Sequence, residues 1–348
     1  MKILFLEGDM SRSGGTERMT AWLANSLCEK YSVTIASLSG NGNSFFDLSP
    51  KVRNIRLPDK HPRMAIRKLI KSENIDIAIN VDTGMAIFGI PATLGLKTKV
   101  ITWEHSNFCN NWNSRWFPYI RRFAARHSDA VVVLTERDKQ NYEQNIRHCK
   151  PVTVIHNPVK RCEVGYKTDS KIILSAGHLA PVKRFGLIPE VGKIIFERFP
   201  DWQWRICGDG DERAMIEQKI TEYGLEKNII LAGRVDDMDS EYRNAAIYAM
   251  TSEMEGLPMV LLEAKAHGLP IVSFDIMTGP AEIVRDGVNG FLTESGDVRG
   301  MAERLMELMG NAERRREFSR NAAVGIEEFD EGEVLKKWGK LFSETMSR

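Results

Sequence analysis

Short apolar runs alternate with longer amphipathic stretches along almost the whole chain, and no other feature constrains its fold as strongly. The runs at 3–6, 33–36, 75–80, 99–103, 130–134 and 152–155 read as strands, and the stretches between them as helices. In 15–30, for instance, Met19, Trp22, Leu23, Ser26 and Leu27 form an apolar stripe at helical spacing. Repeated β-α units of this kind close into parallel sheets. A second series of strands follows at 172–175, 204–207, 229–232, 246–250, 271–274 and 290–292, with helical patterns at 211–223, 261–266 and 298–308. Between the two series, 157–170 is polar, holds a proline and has no apolar period, as a linker does. A chain of 348 residues also exceeds what one hydrophobic core organises. The expectation is an α/β protein of two doubly wound domains facing across a cleft, at 1–162 and 163–332. An amphipathic segment at 333–348 crosses back onto the first. Ligands in such sheets bind outside the carboxyl ends of the strands.

At 43% hydrophobic and 27% charged, the composition excludes a disordered or fibrous chain. The five cysteines are scattered without a C-x-x-C pair, which excludes a disulfide framework and a zinc ribbon and fits a reducing cytoplasm. Glu7 and Asp9 interrupt the opening residues, so no secretory leader is expected. The most apolar window, 77–96, contains Asn80, Asp82 and Pro91 and is not expected to span a bilayer. Charge is divided unevenly. Residues 1–163 carry 24 Lys+Arg against 15 Asp+Glu, leaving 24 and 32 of the chain's 48 and 47 for the remainder. The first half is thus +9 and the second −8, which fits either an anionic partner for the first or mutual attraction of the two.

The sharpest local signal is Glu255-Gly256-Leu257-Pro258-Met259-Val260-Leu261-Leu262-Glu263. A tight turn at 256–258 feeding a helix near Met259 would aim free backbone N–H groups at a phosphate. Glu263, about one helical turn in, could accept hydrogen bonds from a diol such as ribose, and Glu255 could reach a hydroxyl beyond the phosphate. Taken alone, the segment is equally an ordinary helix with an acidic start. The triplets Asp209-Gly210-Asp211 and Asp237-Met238-Asp239 look like metal-binding D-x-D motifs, but Asp and Gly are ordinary turn and N-cap residues. Gly14-Gly15 lacks the spacing of a dinucleotide fingerprint.

Taken with Ala264, Gly268-Leu269-Pro270-Ile271-Val272 and 279–292 (Gly279-Pro280-Ala281-Glu282 through Asn289-Gly290-Phe291-Leu292), this segment resembles the retaining family-4 glycosyltransferases of GT-B fold. Gly14-Gly15-Thr16-Glu17, Glu104-His105-Ser106-Asn107, Cys207-Gly208-Asp209-Gly210 and Gly233-Arg234-Val235 match further motifs of that family in order, so the resemblance covers nearly the whole chain. It implies a nucleotide-diphosphate sugar donor, UDP-linked, with no cofactor and no metal. It assigns Glu263 to the ribose, Glu255 to the donor sugar, the backbone of Gly256, Leu257, Pro258 and Met259 to the phosphate region, Val235 to the base edge, and Gly15 to the donor side. It makes His105, Glu255 and Lys183 the catalytic residues. The family's basic pair is usually Arg then Lys; here Lys183 matches and His178 stands in place of Arg. An imidazole lacks the bidentate fork of arginine, so either Arg184 compensates or His178 is protonated.

For the acceptor, 60–71 carries five Lys/Arg and no acid, including Arg63, Arg67, Lys68 and Lys71. Trp112, Trp116, Phe117, Tyr119 and Phe123 interleave with Arg115, Arg121, Arg122 and Arg126. Such mixtures suit an anionic membrane face or a lipid-linked phosphate, and equally a helix whose rings pack inward. No nucleic-acid recognition module accompanies them. The resemblance implies transfer of a hexose or N-acetylhexosamine to a glycan or polyprenyl-linked glycan in bacterial surface polysaccharide assembly, by a cytoplasmic enzyme peripheral to the membrane. The alternatives are a sugar-nucleotide epimerase of the same fold and a non-catalytic nucleotide-sugar-binding subunit.

Overall fold

The computed structural model describes residues 1–111, 114–160, 162 and 165–348, and the chain in it divides into two units. Met1–Asn157 with Gly332–Arg348 form the first, and Pro158–Glu331 the second. The first contains the strands β1 (Lys2–Glu7), β2 (Ser32–Ser37), β3 (Val52–Arg56), β4 (Ile77–Val81), β5 (Lys99–Trp103), β6 (Ala130–Val133) and β7 (Val152–Val154). Its helices are α1 (Gly15–Leu27), α2 (Pro62–Glu73), α3 (Ala86–Thr93), α4 (Phe117–His127) and α5 (Glu136–Asn145). The second contains β8 (Ile172–Ala176), β9 (Gln203–Cys207), β10 (Ile229–Gly233), β11 (Ile247–Met250), β12 (Ile271–Asp275) and β13 (Gly290–Glu294). Around them lie α6 (Ile188–Arg198), α7 (Arg213–Glu222), α8 (Met238–Asn244), α9 (Met259–Ala266), α10 (Pro280–Ile283), α11 (Val298–Gly310) and α12 (Ala312–Ala322). The chain closes with α13 (Glu331–Ser347).

Both sheets are parallel, in the orders β3-β2-β1-β4-β5-β6-β7 and β10-β9-β8-β11-β12-β13. In each, strand order reverses beside the first strand, between β1 and β4 and between β8 and β11. Loops leaving the carboxyl ends of those strands diverge to opposite faces and open a crevice there, so each unit has one built-in position for a ligand.

One strand escaped the sequence pattern. In β3, Val-Arg-Asn-Ile-Arg, only Val52 is buried, because the strand lies at the sheet edge and half its side chains meet solvent. The apolar window at 77–96 resolves into β4, a 3₁₀ turn at Thr83–Met85 and the eight-residue α3. Among the described residues no helix is long and apolar enough to cross a membrane.

Helix α13 joins the core of the first unit through Val334, Trp338, Leu341 and Phe342, a buried stripe at helical spacing. The Trp338 ring meets Trp103 of β5 edge-on at 5.0 Å and Phe342 at 5.5 Å. Replacing Trp338 with Ala should therefore cost about 3–5 kcal/mol through lost burial and a cavity. Urea unfolding of the two proteins measures this, and a loss under about 1 kcal/mol would show that the helix is dispensable to the core.

Candidate active site

In the second unit the loops after β8 and β9 run side by side. Gly177 N donates to Cys207 O (2.9 Å), Leu179 N to Asp209 O (3.0 Å) and Glu212 N to Leu179 O (3.0 Å). Gly208, at φ 142°, faces this contact so closely that a Cβ would lie 1.8 Å from the Gly177 carbonyl oxygen. The Gly-Asp-Gly turn is thus a backbone-packing device. Asp209 Oδ1 accepts from Gly210 N (3.0 Å) and Asp237 caps α8 by accepting from Ser240 N (3.0 Å), so both acidic triplets have turn and cap work.

The β8 loop is also tied across the reversal point to the β11 loop. Thr251 Oγ1 donates to Lys183 O (2.9 Å), and Glu253 N to Val182 O (2.9 Å). These bonds bring together two of the expected residues: Lys183 Nζ lies 2.6 Å from Glu255 Oε1, with both side chains largely buried. Arg184 is engaged by Glu253, with Nη2 to Oε1 at 2.5 Å and Nε to Oε2 at 3.1 Å. The exposed His178 ring lies with Nδ1 2.7 Å from the Asp209 carbonyl oxygen. A carbonyl only accepts, so Nδ1 carries the neutral ring's proton and Nε2 is its acceptor.

Beyond Glu255, the turn at 256–258 leads into α9, whose amino end has no side-chain cap. The turn rests on Thr278 and Gly279: Thr278 Oγ1 donates to Glu255 O (2.7 Å), and a Cβ on Gly279 (φ 100°) would meet Pro258 Cδ at 2.5 Å. The Gly279-Pro280 motif therefore supports the Gly256-Leu257-Pro258 turn from below. Val235 sits half-buried between β10 and α8, just past Gly233, whose carbonyl accepts from Gly208 N (2.7 Å). Glu263 projects from the second turn of α9 and accepts from the hydroxyl of Tyr242 at 2.8 Å. Nothing in the local sequence pointed to Tyr242, which lies 21 residues away on a different helix.

Gly15 and His105 belong to the other unit. Gly15 begins α1, directly after the β1 loop. His105 follows β5 with its ring 4.1 Å from that of Trp103; its Nε2 is buried without a hydrogen-bond partner. Burial pushes its pKa down to about 3, so the imidazole stays neutral at physiological pH. Beside it, the fully buried Glu104 accepts from Tyr142 OH (2.9 Å), Ser106 Oγ (2.8 Å) and the Thr83 hydroxyl, and thereby fixes the turn that carries His105. Asp82, at a strained φ of 68°, ends β4 next to it; burial first, and then the Glu104 charge, hold its carboxyl well above the usual range. Glu7, at the end of β1, bonds Gly8 N (3.0 Å) and Thr20 Oγ1 (3.1 Å), and burial raises it to about 8.

The basic and aromatic residues of this unit divide into two sets. Arg63, Lys68 and Lys71 are exposed on α2, and Met64 there and Leu94 nearby are 71% and 67% exposed. Met64, Arg67, Lys68, Lys71 and Ser72 line an open groove of about 490 Å³. Arg67, in contrast, is committed to the fold, donating to Ala92 O (2.9 Å) and Leu94 O (2.7 Å). Trp116 and Tyr119 are exposed, with Arg115 and Arg122 over their rings at 5.0 and 5.9 Å. Phe117 is buried, and so is Arg121, stacked between Phe108 and Phe117 at 5.1 Å from each. Counting Arg121 as part of a surface mixture is thus corrected by its burial. Trp112 lies outside the described residues.

Two doubly wound parallel units, one holding a lysine–carboxylate pair beside a helix amino end at its reversal point, define an enzyme of the GT-B class. Residues 13–161 match the family model of Glycosyltransferase Family 4 and residues 158–324 that of Glycosyl transferases group 1; the chain belongs to these glycosyltransferases. It is 28% identical to the amylovoran biosynthesis glycosyltransferase AmsD of Erwinia amylovora, over 98% of this chain and 99% of that one. To a Campylobacter jejuni alpha-1,4-N-acetyl-D-galactosaminyltransferase whose name specifies a PP-undecaprenol-linked glycan, it is 28% identical over 99% of each. Among solved structures, Anabaena HepE in complex with UDP and glucose superposes with a TM-score of 0.82 at 18% identity, covering 100% of this chain and 99% of that one.

The raised Glu7 carboxyl has a consequence for stability. Its pKa in the folded protein, about 8, lies above its ordinary value of 4.5, so folding takes up a proton between those limits. The stabilisation is present below about pH 4.5 and is lost as the pH rises towards 8. The slope is at most about 1.4 kcal/mol per pH unit. Urea midpoints measured from pH 5 to 8 should fall for the native sequence relative to Glu7→Gln, which removes the titration. Parallel curves would mean that Glu7 is ionised in the folded protein.

Proposed function

We propose that the enzyme transfers a hexose or N-acetylhexosamine from a UDP-sugar to a glycan or polyprenyl-linked glycan of a bacterial surface polysaccharide, with retention and without a metal ion. The observation that carries this reading is the Lys183–Glu255 pair, 2.6 Å apart, where the β8 and β11 loops meet ahead of α9. A leaving diphosphate accumulates negative charge as the glycosidic bond breaks. Lys183 and the uncapped amino end of α9 supply fixed positive potential there, which a divalent ion would otherwise provide. Glu255, held by Lys183, positions the sugar hydroxyls. Glu263 takes the ribose diol, and the backbone at Val235 the base edge. His178 reaches a phosphate as a donor only through a protonated Nε2, since Nδ1 is committed to Asp209 O. In a front-side displacement the departing phosphate oxygen takes the acceptor's proton, and no carboxylate attacks the sugar. His105 is assigned either contact with the donor sugar or stabilisation of developing positive charge through its backbone carbonyl.

The PP-undecaprenol-linked glycan in the name of the Campylobacter transferase and the polysaccharide in that of AmsD favour the acceptor reading, and the presence of UDP in the HepE complex accords with the donor reading. The α2 face, with its groove at Lys68, Lys71 and exposed Met64 and with exposed Arg63, is read as the face that meets an anionic membrane. Each such cation near the surface contributes on the order of 1 kcal/mol.

Incubation with a panel of nucleotide sugars in EDTA tests the chemistry. One UDP-sugar should be slowly hydrolysed to UDP without acceptor, and Glu263→Ala should weaken UDP binding by about 1.5–3 kcal/mol in calorimetry. Release of GDP instead, or activity only with added manganese, would refute the donor or the metal assignment. For the membrane face, charge reversal of Arg63, Lys68 and Lys71 to Glu should abolish binding to anionic vesicles while UDP binding persists. Equal partitioning of both proteins onto anionic and neutral vesicles would dismiss it.

A further inference from the structure

Glu263 is a flexible side chain, and a carboxylate reads a diol only if its plane is held in one orientation. The structure supplies a rigid neighbour for this. Tyr242 is 1% exposed, its ring stacked on His267 at 4.9 Å and packed beside Tyr248 at 5.9 Å. From that fixed position its hydroxyl donates to Glu263 Oε2 at 2.8 Å. A carboxylate has about four acceptor positions, so a bond from the phenol and recognition of a diol are not mutually exclusive. His267 closes the arrangement: its Nδ1 lies 2.8 Å from the Glu263 backbone oxygen and its Nε2 3.5 Å from Asp239. Tyr242 and Asp239 both belong to α8, which follows the turn at Gly233-Arg234-Val235 after the Asp237 cap. Side-chain contacts of Tyr242 and Asp239 therefore join α8 to α9 and to the residue that caps it.

We propose that Tyr242 is a positioning residue that holds the Glu263 carboxylate in the orientation that reads the ribose diol, coupling ribose recognition to the helix behind the base-binding turn. The proposal rests on the assignment of Glu263 to the ribose, and the test separates the two. Calorimetry with UDP, 2′-deoxy-UDP and 3′-deoxy-UDP would compare the native protein, Tyr242→Phe and Glu263→Gln. Phenylalanine keeps the ring stacking and removes only the hydroxyl. The native protein should prefer UDP over each deoxy analogue by about tenfold, the value of a hydrogen bond to a charged group. In Tyr242→Phe the preference should shrink to under about threefold, because a loosened carboxylate gains little from either hydroxyl. Undiminished preference in Tyr242→Phe, whether or not overall affinity falls, would overturn the proposal, since a merely structural role weakens all three ligands alike. If Glu263→Gln also keeps the full preference, the ribose assignment itself fails. If Glu263→Gln loses it and Tyr242→Phe keeps it, only the role of Tyr242 falls.

Discussion

The backbone bonding that joins the β8 loop to the β9 and β11 loops is the constraint on which the second unit's site depends. Gly177, Leu179, Val182 and Lys183 all contribute main-chain groups to it, so the loop carrying His178 and Lys183 has little freedom of its own. Loop backbone at the carboxyl edge of a sheet must find partners once the strands end, and here the neighbouring loops supply them. The glycine at 208 is required for this, because a Cβ would occupy the space of the Gly177 carbonyl. Only with the loops locked in this way do Lys183 and Glu255, 72 residues apart, face each other at 2.6 Å.

That pairing also bears on how charge is managed. Glu255 is paired with Lys183 and Glu253 with Arg184, so two acids of the β11 loop hold two bases of the β8 loop. The His178 ring, with Nδ1 committed to the Asp209 carbonyl, donates from Nε2 only when protonated, whereas an arginine fork is a permanent cation. The first unit handles charge differently. Glu7, Asp82 and Glu104 end adjacent strands in buried surroundings, and desolvation pushes Glu7 and Asp82 towards their neutral forms. Glu104 is held by three hydroxyls, a set of bonds that lets a fully buried side chain act as the anchor of the His105 turn.

Much of this was legible in the residues. Among the described residues, apolar runs located twelve of the thirteen strands, because strands covered on both faces must be continuously apolar. The edge strand β3 was missed for the converse reason, since an uncovered strand keeps its charges. The turn and helix at 256–266 were visible because glycine, proline and the periodic run that follows them have local conformational meaning. Arg121 was counted in a surface mixture although two aromatic rings bury it, and Arg67 lines the α2 groove while bonded to the carbonyls of Ala92 and Leu94, because a side chain's destination is decided by what packs against it.

By itself, then, the sequence determined the two doubly wound halves, the glycosyltransferase motifs and the residue types available at the reversal points. Those properties follow from local periodicity and from backbone rules that act over a few residues. The tertiary structure alone decided which groups meet. It paired Lys183 with Glu255, engaged Arg184 with Glu253, left His105 Nε2 buried without a partner, and set Tyr242 against Glu263. Each of these depends on where separate strands and helices come to rest against one another, and such long-range contacts leave no periodic trace in the residues that make them.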